Sequence, residues 1–222
     1  IIAGHLDTVP AAGNLPHSRR DGVLAGLGAC DMKGGLAVMA KLAWDMTLES
    51  PAVRFIFYDC EEVAAEHNGL ARLAGEHPSI LQAPFAVVME PTNGVVEGGC
   101  QGTIRVDVCV DGRQAHSARA WHGVNAVHQA RLVLEILEAY EPRRPLIDGL
   151  EFREGLNAVG IRGGVAGNVI PDECVVTVNY RFAPDMSLDD AVQHLQEVFA
   201  DFSISIVDWA PGARPGLTDE GV

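Results

Sequence analysis

Three short apolar runs, each stopping at side chains that can bind a metal, constrain this chain more than any other feature. Ile1-Ile2-Ala3-Gly4 leads into His5 and Asp7; Val53-Arg54-Phe55-Ile56-Phe57-Tyr58 leads into Glu61-Glu62; Phe85-Ala86-Val87-Val88-Met89 leads into Glu90. Apolar runs of this length read as buried strands. Between them lie segments with apolar residues at helical spacing, Gly34 to Leu48 (Leu36, Met39, Ala40, Leu42, Ala43) and Gly69 to Gly75. Residues 11 to 30 are rich in Gly, Pro and Asn and read as a loop. Strand, helix, strand, helix, strand in this order predicts a parallel sheet with helices on its faces.

Near Gly98-Gly99 the pattern changes. Thr103 to Val110 alternates like a half-buried strand, and Ala126 to Ala139 is an amphipathic helix. Asn157 to Ile161 and Cys174 to Phe182 read as strands, and Ser203 to Val207 as the last one. A helix starts at Ser187 and runs to about Phe199, with Asp189 and Asp190 in its first turn to suit the helix dipole. Strand-helix-strand-strand-helix-strand is the ferredoxin-like order. A first domain over residues 1–99 is therefore expected to be interrupted by a second over 100–211, with 212–222 returning to the first.

The net charge of −14, from 30 acids against 16 bases, disfavours a nucleic-acid partner, which calls for a basic face. No apolar stretch approaches a membrane span, so no membrane partner is expected. Cys30, Cys60, Cys100, Cys109 and Cys174 are odd in number, scattered and without a CxxC pair. That argues against a disulfide framework or a structural zinc knot, and for a reducing, cytoplasmic setting.

In open α/β sheets ligands collect at the carboxyl ends of the strands, where His5 with Asp7, Glu61 with Glu62, and Glu90 all fall. Asp31 sits in a glycine-rich loop, Gly28-Ala-Cys-Asp31-Met-Lys-Gly-Gly35. Zinc accepts imidazole nitrogen and carboxylate oxygen. Two ions close together need a bridging carboxylate, for which Asp31 is the natural candidate. A further carboxylate must take the proton of an attacking water, and adjacent Glu61 and Glu62 offer one group for binding and one for that task. Taken singly, each piece has an ordinary reading: a loop pair for His-x-Asp, a solvated surface pair for Glu-Glu. His116 on its own could be a loop histidine and Arg181 a surface strand residue.

Gly4-His5-Leu6-Asp7-Thr8-Val9-Pro10, the Gly28–Gly35 loop, Glu61-Glu62 and Glu90-Pro91-Thr92 together resemble the di-zinc aminoacylase and carboxypeptidase family, over nearly the whole chain. That family includes acetylornithine deacetylase and succinyl-diaminopimelate desuccinylase. Cys60-Glu-Glu-Val-Ala-Ala-Glu-His-Asn68-Gly-Leu, Gly99-Cys-Gln-Gly102 and His116-Ser-Ala-Arg119-Ala-Trp121 are similar to the actinobacterial desuccinylase branch. The resemblance implies a zinc-peptidase-like α/β catalytic domain with a mostly parallel sheet, and an inserted ferredoxin-like α+β lid and dimerisation domain. It implies that His5 binds one zinc, with Glu90 completing that site, that Asp7 orients the imidazole, that Asp31 bridges and that Glu62 binds the second zinc. Glu61 becomes the general base and then the general acid. His116 stabilises the oxyanion across a homodimer, and Asn168 and Arg181 hold the substrate.

The expected cofactor is two zinc ions per subunit, with cobalt as a substitute. The expected substrate is a small N-acyl amino acid, N-succinyl-LL-diaminopimelate first, with acetylornithine or a dipeptide as the alternative. A non-catalytic dimerisation or binding remnant is the alternative of another class. The family also supplies residues before the His-x-Asp strand and a last zinc-binding histidine near its carboxyl terminus. Neither has a counterpart among these 222 residues. On this reading the 222-residue chain is a fragment, weakly metallated and inactive by itself.

Overall fold

In the computed structural model, which describes residues 1–47, 49 and 52–216, the three apolar runs pair as a parallel sheet within a first unit, Ile1–Glu97. The elements are β1 (Ile2–His5), β2 (Ser18–Arg20), β3 (Val23–Ala25), α1 (Gly34–Asp45), β4 (Phe55–Tyr58), α2 (Gly69–Glu76) and β5 (Val87–Val88). β1 lies between β4 and β5. Its register with β4 runs Ile2↔Phe55 to His5↔Tyr58, and with β5 Ile2↔Val87 and Ala3↔Val88. β1 and β4 therefore end level, β5 stops two residues earlier opposite Ala3, and the residues after all three emerge at one edge of the sheet.

Alternation along β1 gives each helix its own face. Ala3, Ile56 and Tyr58 pack with Leu70, Leu73 and Leu81 from α2 and the turn after it. Gly4 points the other way, toward Met32, Leu36 and Met39 at the start of α1. A side chain at Gly4 has no room: an added Cβ falls 2.6 Å from Met32 Cε. α2 starts cleanly because Asn68 Oδ1 accepts from the N–H groups of Leu70 (2.9 Å) and Ala71 (3.0 Å), an N-cap.

Three sequence expectations change in this unit. Residues 11–30 are not all loop, because β2 and β3 form a hairpin across Asp21-Gly22, both with positive φ (51° and 81°). Asp-Gly is the preferred two-residue hairpin turn; the flanking strands are fully exposed, so no buried alternation advertised them. The third strand is only two residues long, not five. The expected helix over Gly34–Leu48 ends at Asp45, and Leu48 lies outside the described residues.

The second unit, Gly98–Val222, contains β6 (Gly102–Asp111), β7 (Ala115–His116), α3 (Ala126–Gln129), α4 (Arg131–Ala139), β8 (Leu146–Ile147), β9 (Leu150–Glu151), β10 (Gly155–Gly163), β11 (Val169–Ile170), β12 (Glu173–Phe182), α5 (Leu188–Val198) and β13 (Ser203–Ala210). Its main sheet is antiparallel in the order β10-β12-β6-β13. This is the ferredoxin-like arrangement. Ile104, Val106, Val108, Val176, Val178, Tyr180 and Phe182 line one face and pack on Ala126, Val133, Ala191, Leu195 and Phe199 of the helical layer. α5 opens with a reciprocal capping box between Ser187 and Asp190. The single helix expected over 126–139 is two segments meeting at Ala130, whose φ and ψ remain helical. Ala213 bridges to Cys100, so the described part of residues 212–222 runs beside the start of this unit. Residues 217–222 lie outside the described residues. Among the described residues, no helix is long and apolar enough to cross a membrane.

Candidate metal centre

At the carboxyl edge of the first sheet, His5 is 1% exposed. Its Nε2 lies 3.0 Å from Asp31 Oδ1 and 3.6 Å from Glu90 Oε1. Its Nδ1 lies 3.0 Å from the main-chain carbonyl of Asp7, which accepts the proton when Nδ1 carries it, leaving Nε2 free to bind a metal. Because β5 is so short, the backbone N–H of His5 has no strand partner on that side and donates to Met32 Sδ at 3.1 Å.

The loop that brings Asp31 here is shaped at both ends. Gly28 has φ +66°, a left-handed conformation that glycine adopts without cost. Lys33 N–H closes back on the Gly28 carbonyl at 2.9 Å. At the start of α1, Gly35 lets the helix approach β5 so closely that an added Cβ would lie 2.2 Å from the Met89 carbonyl oxygen. An open cleft of about 530 Å³ runs between this helix start and Met89–Gly94, with Glu90 on its wall.

His5, Asp31 and Glu62 each offer one ligand atom, all within 4.8 Å of one another. Asp31 and Glu90 stand on the Nε2 side of His5 and Asp7 on the Nδ1 side, and these carboxylates and Glu61 act on one another electrostatically. Desolvation pushes Glu61 up, with Glu62, Asp31 and Asp7 adding to it against the pull of His5. Desolvation and then Asp31 likewise push Glu90 up. Burial alone would lower His5, but Asp31 and Glu90 raise it overall. Burial pushes the Tyr58 phenol, edge-on to His5, up to about 12, so it stays neutral. Clustered anions of this kind are relieved by a cation, and one imidazole with several carboxylates is a donor set that suits a divalent metal. The residues present therefore fit a metal ion.

Asp7 makes more contacts than the one to the imidazole expected of it. Its carboxylate is 3.6 Å from His5 Nδ1, while the ring nitrogen has the nearer main-chain oxygen. Oδ1 also accepts from Glu61 N–H and Oδ2 from Glu62 N–H, each at 3.1 Å. Burial works against its ionisation, but these two bonds and the His5 charge hold its pKa below the usual range. Neither composition nor spacing could have indicated this contact, which joins positions 54 and 55 residues apart.

In the second unit the structure brings His116 and Asn168 together. β7 and β11 pair with His116 opposite Val169, and Ser117 N–H donates to the Asn168 carbonyl at 2.9 Å. His116 Nδ1 accepts from Ala118 N–H at 3.1 Å, so in the neutral ring the proton resides on Nε2. Arg181 is on a different element, opposite Thr103 and Gly155 near the end of β12. Among the described residues its exposed guanidinium has no hydrogen-bond or ion-pair partner.

Residues 99–205 match the M20 peptidase dimerisation domain. This match lies in the second unit, while the His and carboxylate cluster stands on the parallel-sheet unit. The chain is 51% identical over 221 residues to DapE of Mycobacterium tuberculosis (strain ATCC 25618 / H37Rv), covering 99% of this chain and 62% of that protein. It is 44% identical over 226 residues to the succinyl-diaminopimelate desuccinylase of Corynebacterium glutamicum, covering 98% and 61%. The chain thus spans about three fifths of the length of these relatives. Among solved structures, the dipeptidase Dug1p of Saccharomyces cerevisiae superposes with a TM-score of 0.68 at 16% identity, over 100% of this chain and 62% of that one, a likeness of fold.

Proposed function

We propose that the complete protein hydrolyses N-succinyl-LL-diaminopimelate to succinate and LL-diaminopimelate, using two zinc ions per subunit. The observation that carries this reading is the 44% identity, across 98% of the chain, to the desuccinylase of Corynebacterium glutamicum. His5 and Glu90 would hold one ion, Glu62 the other, and Asp31 both; the clustering of these groups around the buried imidazole supports the assignment. When bound, the ions supply Lewis acidity that polarises an amide carbonyl and brings the acidity of water near neutrality. Cobalt satisfies the same nitrogen and oxygen donors.

Glu61, beside Glu62 but not needed as a ligand, takes a proton from the attacking water as the C–O bond forms. It returns that proton to the amide nitrogen as the C–N bond breaks, so one carboxylate serves as base and then acid. His116 donates its Nε2 proton in a hydrogen bond to the oxyanion of the tetrahedral state. Asn168 binds the substrate beside His116, and Arg181 takes a substrate carboxylate through two parallel hydrogen bonds. The protein works as a homodimer through its second unit, whose edge strand β10 carries exposed Val159 and Ile161. The five cysteines are all free thiols, which supports a cytoplasmic location.

The test is hydrolysis by the zinc-loaded complete gene product of N-succinyl-LL-diaminopimelate beside N-acetylornithine. Strong preference for the succinyl substrate is expected. Preference for acetylornithine, or cleavage of neither, overturns the substrate assignment.

A further inference from the structure

We propose that Asp7 is a positioning residue for the pair Glu61-Glu62, its carboxylate setting where both side chains stand by accepting both of their backbone N–H groups. The proposal rests on the roles given to Glu61 and Glu62 above. It starts from the way the chain leaves β4. No regular structure follows Tyr58 until the short turn at Ala65–His67 and then α2. The left-handed conformation of Cys60 (φ 60°) turns the chain there. Among the described residues, neither Glu61 nor Glu62 makes any other hydrogen bond. The two contacts to Asp7, both 3.1 Å, are therefore what ties this segment to the sheet.

Asp7 is itself firmly placed. Leu6 N–H donates to the Tyr58 carbonyl at 2.8 Å and carries the β1–β4 ladder one step past His5. The carboxylate then spans the gap that opens between the two chains, one oxygen per amide. Consecutive N–H groups converging on one anion form a strong, directional grip. The task of fixing the His5 ring is met by another atom of the same residue, the main-chain carbonyl at 3.0 Å, which no side-chain substitution removes. Loss of the carboxylate should therefore be felt at Glu61 and Glu62 before it is felt at His5.

These two accounts of Asp7 separate experimentally. If the side chain served the imidazole, its loss would weaken metal binding and excess metal would restore turnover. If it holds the glutamates, turnover falls at saturating metal, because a misplacement of about 1 Å in a catalytic group costs roughly a hundredfold. Asp7→Asn keeps the size, but its amide can accept only one of the two N–H groups.

The experiment uses the complete, zinc-loaded protein and follows backbone amide exchange at Glu61 and Glu62, zinc content, and kcat and KM. We expect both amides to be protected in the unaltered protein and to exchange at least tenfold faster in Asp7→Asn. Zinc content should be equal, KM within about twofold, and kcat lower by roughly a hundredfold. Unprotected amides in the unaltered protein, unchanged exchange in the variant, or full recovery of kcat with excess zinc would each overturn the proposal. The first of these needs no variant and decides the matter even if Asp7→Asn does not fold. Glu61→Gln, run beside it, separates the two readings. Retained turnover there removes Glu61 as the base, while the exchange data still decide what Asp7 holds.

Discussion

Replacing Gly35 by alanine probes how tightly the metal centre depends on packing behind it. The new methyl carbon would sit 2.2 Å from the Met89 carbonyl oxygen, 3.0 Å from Met89 Cβ and 3.1 Å from Met32 Cε. Met32 can shift its terminal methyl, but the carbonyl oxygen is backbone, in the residue directly after β5. An ordinary carbon-to-oxygen contact needs about 1 Å more than this, so α1 and β5 must separate or slide. Overpacking of this kind costs about 2–3 kcal/mol. At roughly 2–4 °C per kcal/mol for a chain of this size, the melting temperature should drop by about 4–12 °C. Glu90 follows Met89 directly, and its Oε1 stands only 3.6 Å from His5 Nε2, so the same displacement should weaken metal binding on the His5 side. Scanning calorimetry of the complete protein with and without zinc, together with a zinc titration, measures both effects. The control is Gly75→Ala, on α2, where an added Cβ meets nothing within 4 Å. There helix propensity should raise stability by about 0.5–1 kcal/mol. If Gly35→Ala melted like the unaltered protein and bound zinc equally well, the link from α1 packing to Glu90 would be refuted.

Glu61→Gln should abolish turnover of the complete enzyme while zinc content by atomic absorption stays near that of the unaltered protein. If zinc is lost, and Glu62→Gln retains it, the two glutamates have exchanged roles. Glu154, with a fully buried side chain, accepts from Arg143 Nε (3.1 Å) and Nη2 (2.6 Å), Tyr180 Oη (2.9 Å) and Ala183 N–H (2.9 Å). Arg143→Met should destabilise the second unit by about 2–3 kcal/mol in urea unfolding, less than for a wholly enclosed pair because Arg143 is 43% exposed. Arg162 first and then Thr177 hold the Asp107 carboxyl below its ordinary value of 3.8. A depressed folded pKa stabilises above the unfolded value and is lost as pH falls through the folded one. Asp107→Asn should therefore flatten the stability profile below about pH 4; an unchanged acid limb would show that the contact contributes nothing.

Much of this architecture was legible in the chain because it depends on period and order. Alternation along Thr103 to Val110 marked β6, and the amphipathic pattern of Ala126 to Ala139 marked the helix opposite it. The strand-helix order then left the ferredoxin-like arrangement as the natural closure for the second unit. His5, Glu61, Glu62 and Glu90 could be picked out because parallel strands present their carboxyl ends together, and Asp31 because a glycine-rich loop carries it. The β2–β3 hairpin was overlooked although Asp21-Gly22 signals such a turn, since strands with no buried face leave no hydrophobic pattern. The brevity of β5 was equally invisible: five apolar residues run from Phe85 to Met89, and only pairing with β1 shows that two of them are strand.

Amino-acid order alone determined which groups could meet at the end of the first sheet, because local periodicity sets strand ends, His5, Glu62 and Glu90 each follow one, and Asp31 lies in the glycine-rich loop before α1. It also determined that this set, one imidazole among carboxylates, is chemistry for a cation. Only the tertiary structure decided how those groups are held. The main-chain carbonyl of Asp7 comes nearer the His5 ring than its carboxylate does, and the carboxylate reaches across to Glu61 and Glu62. Gly35 sets the approach of α1 to β5, and Ala118 N–H selects the His116 tautomer. Each of these is a matter of tenths of an ångström between atoms, some brought together from distant parts of the chain, and such distances are fixed by packing and hydrogen-bond geometry, not by any pattern along the chain.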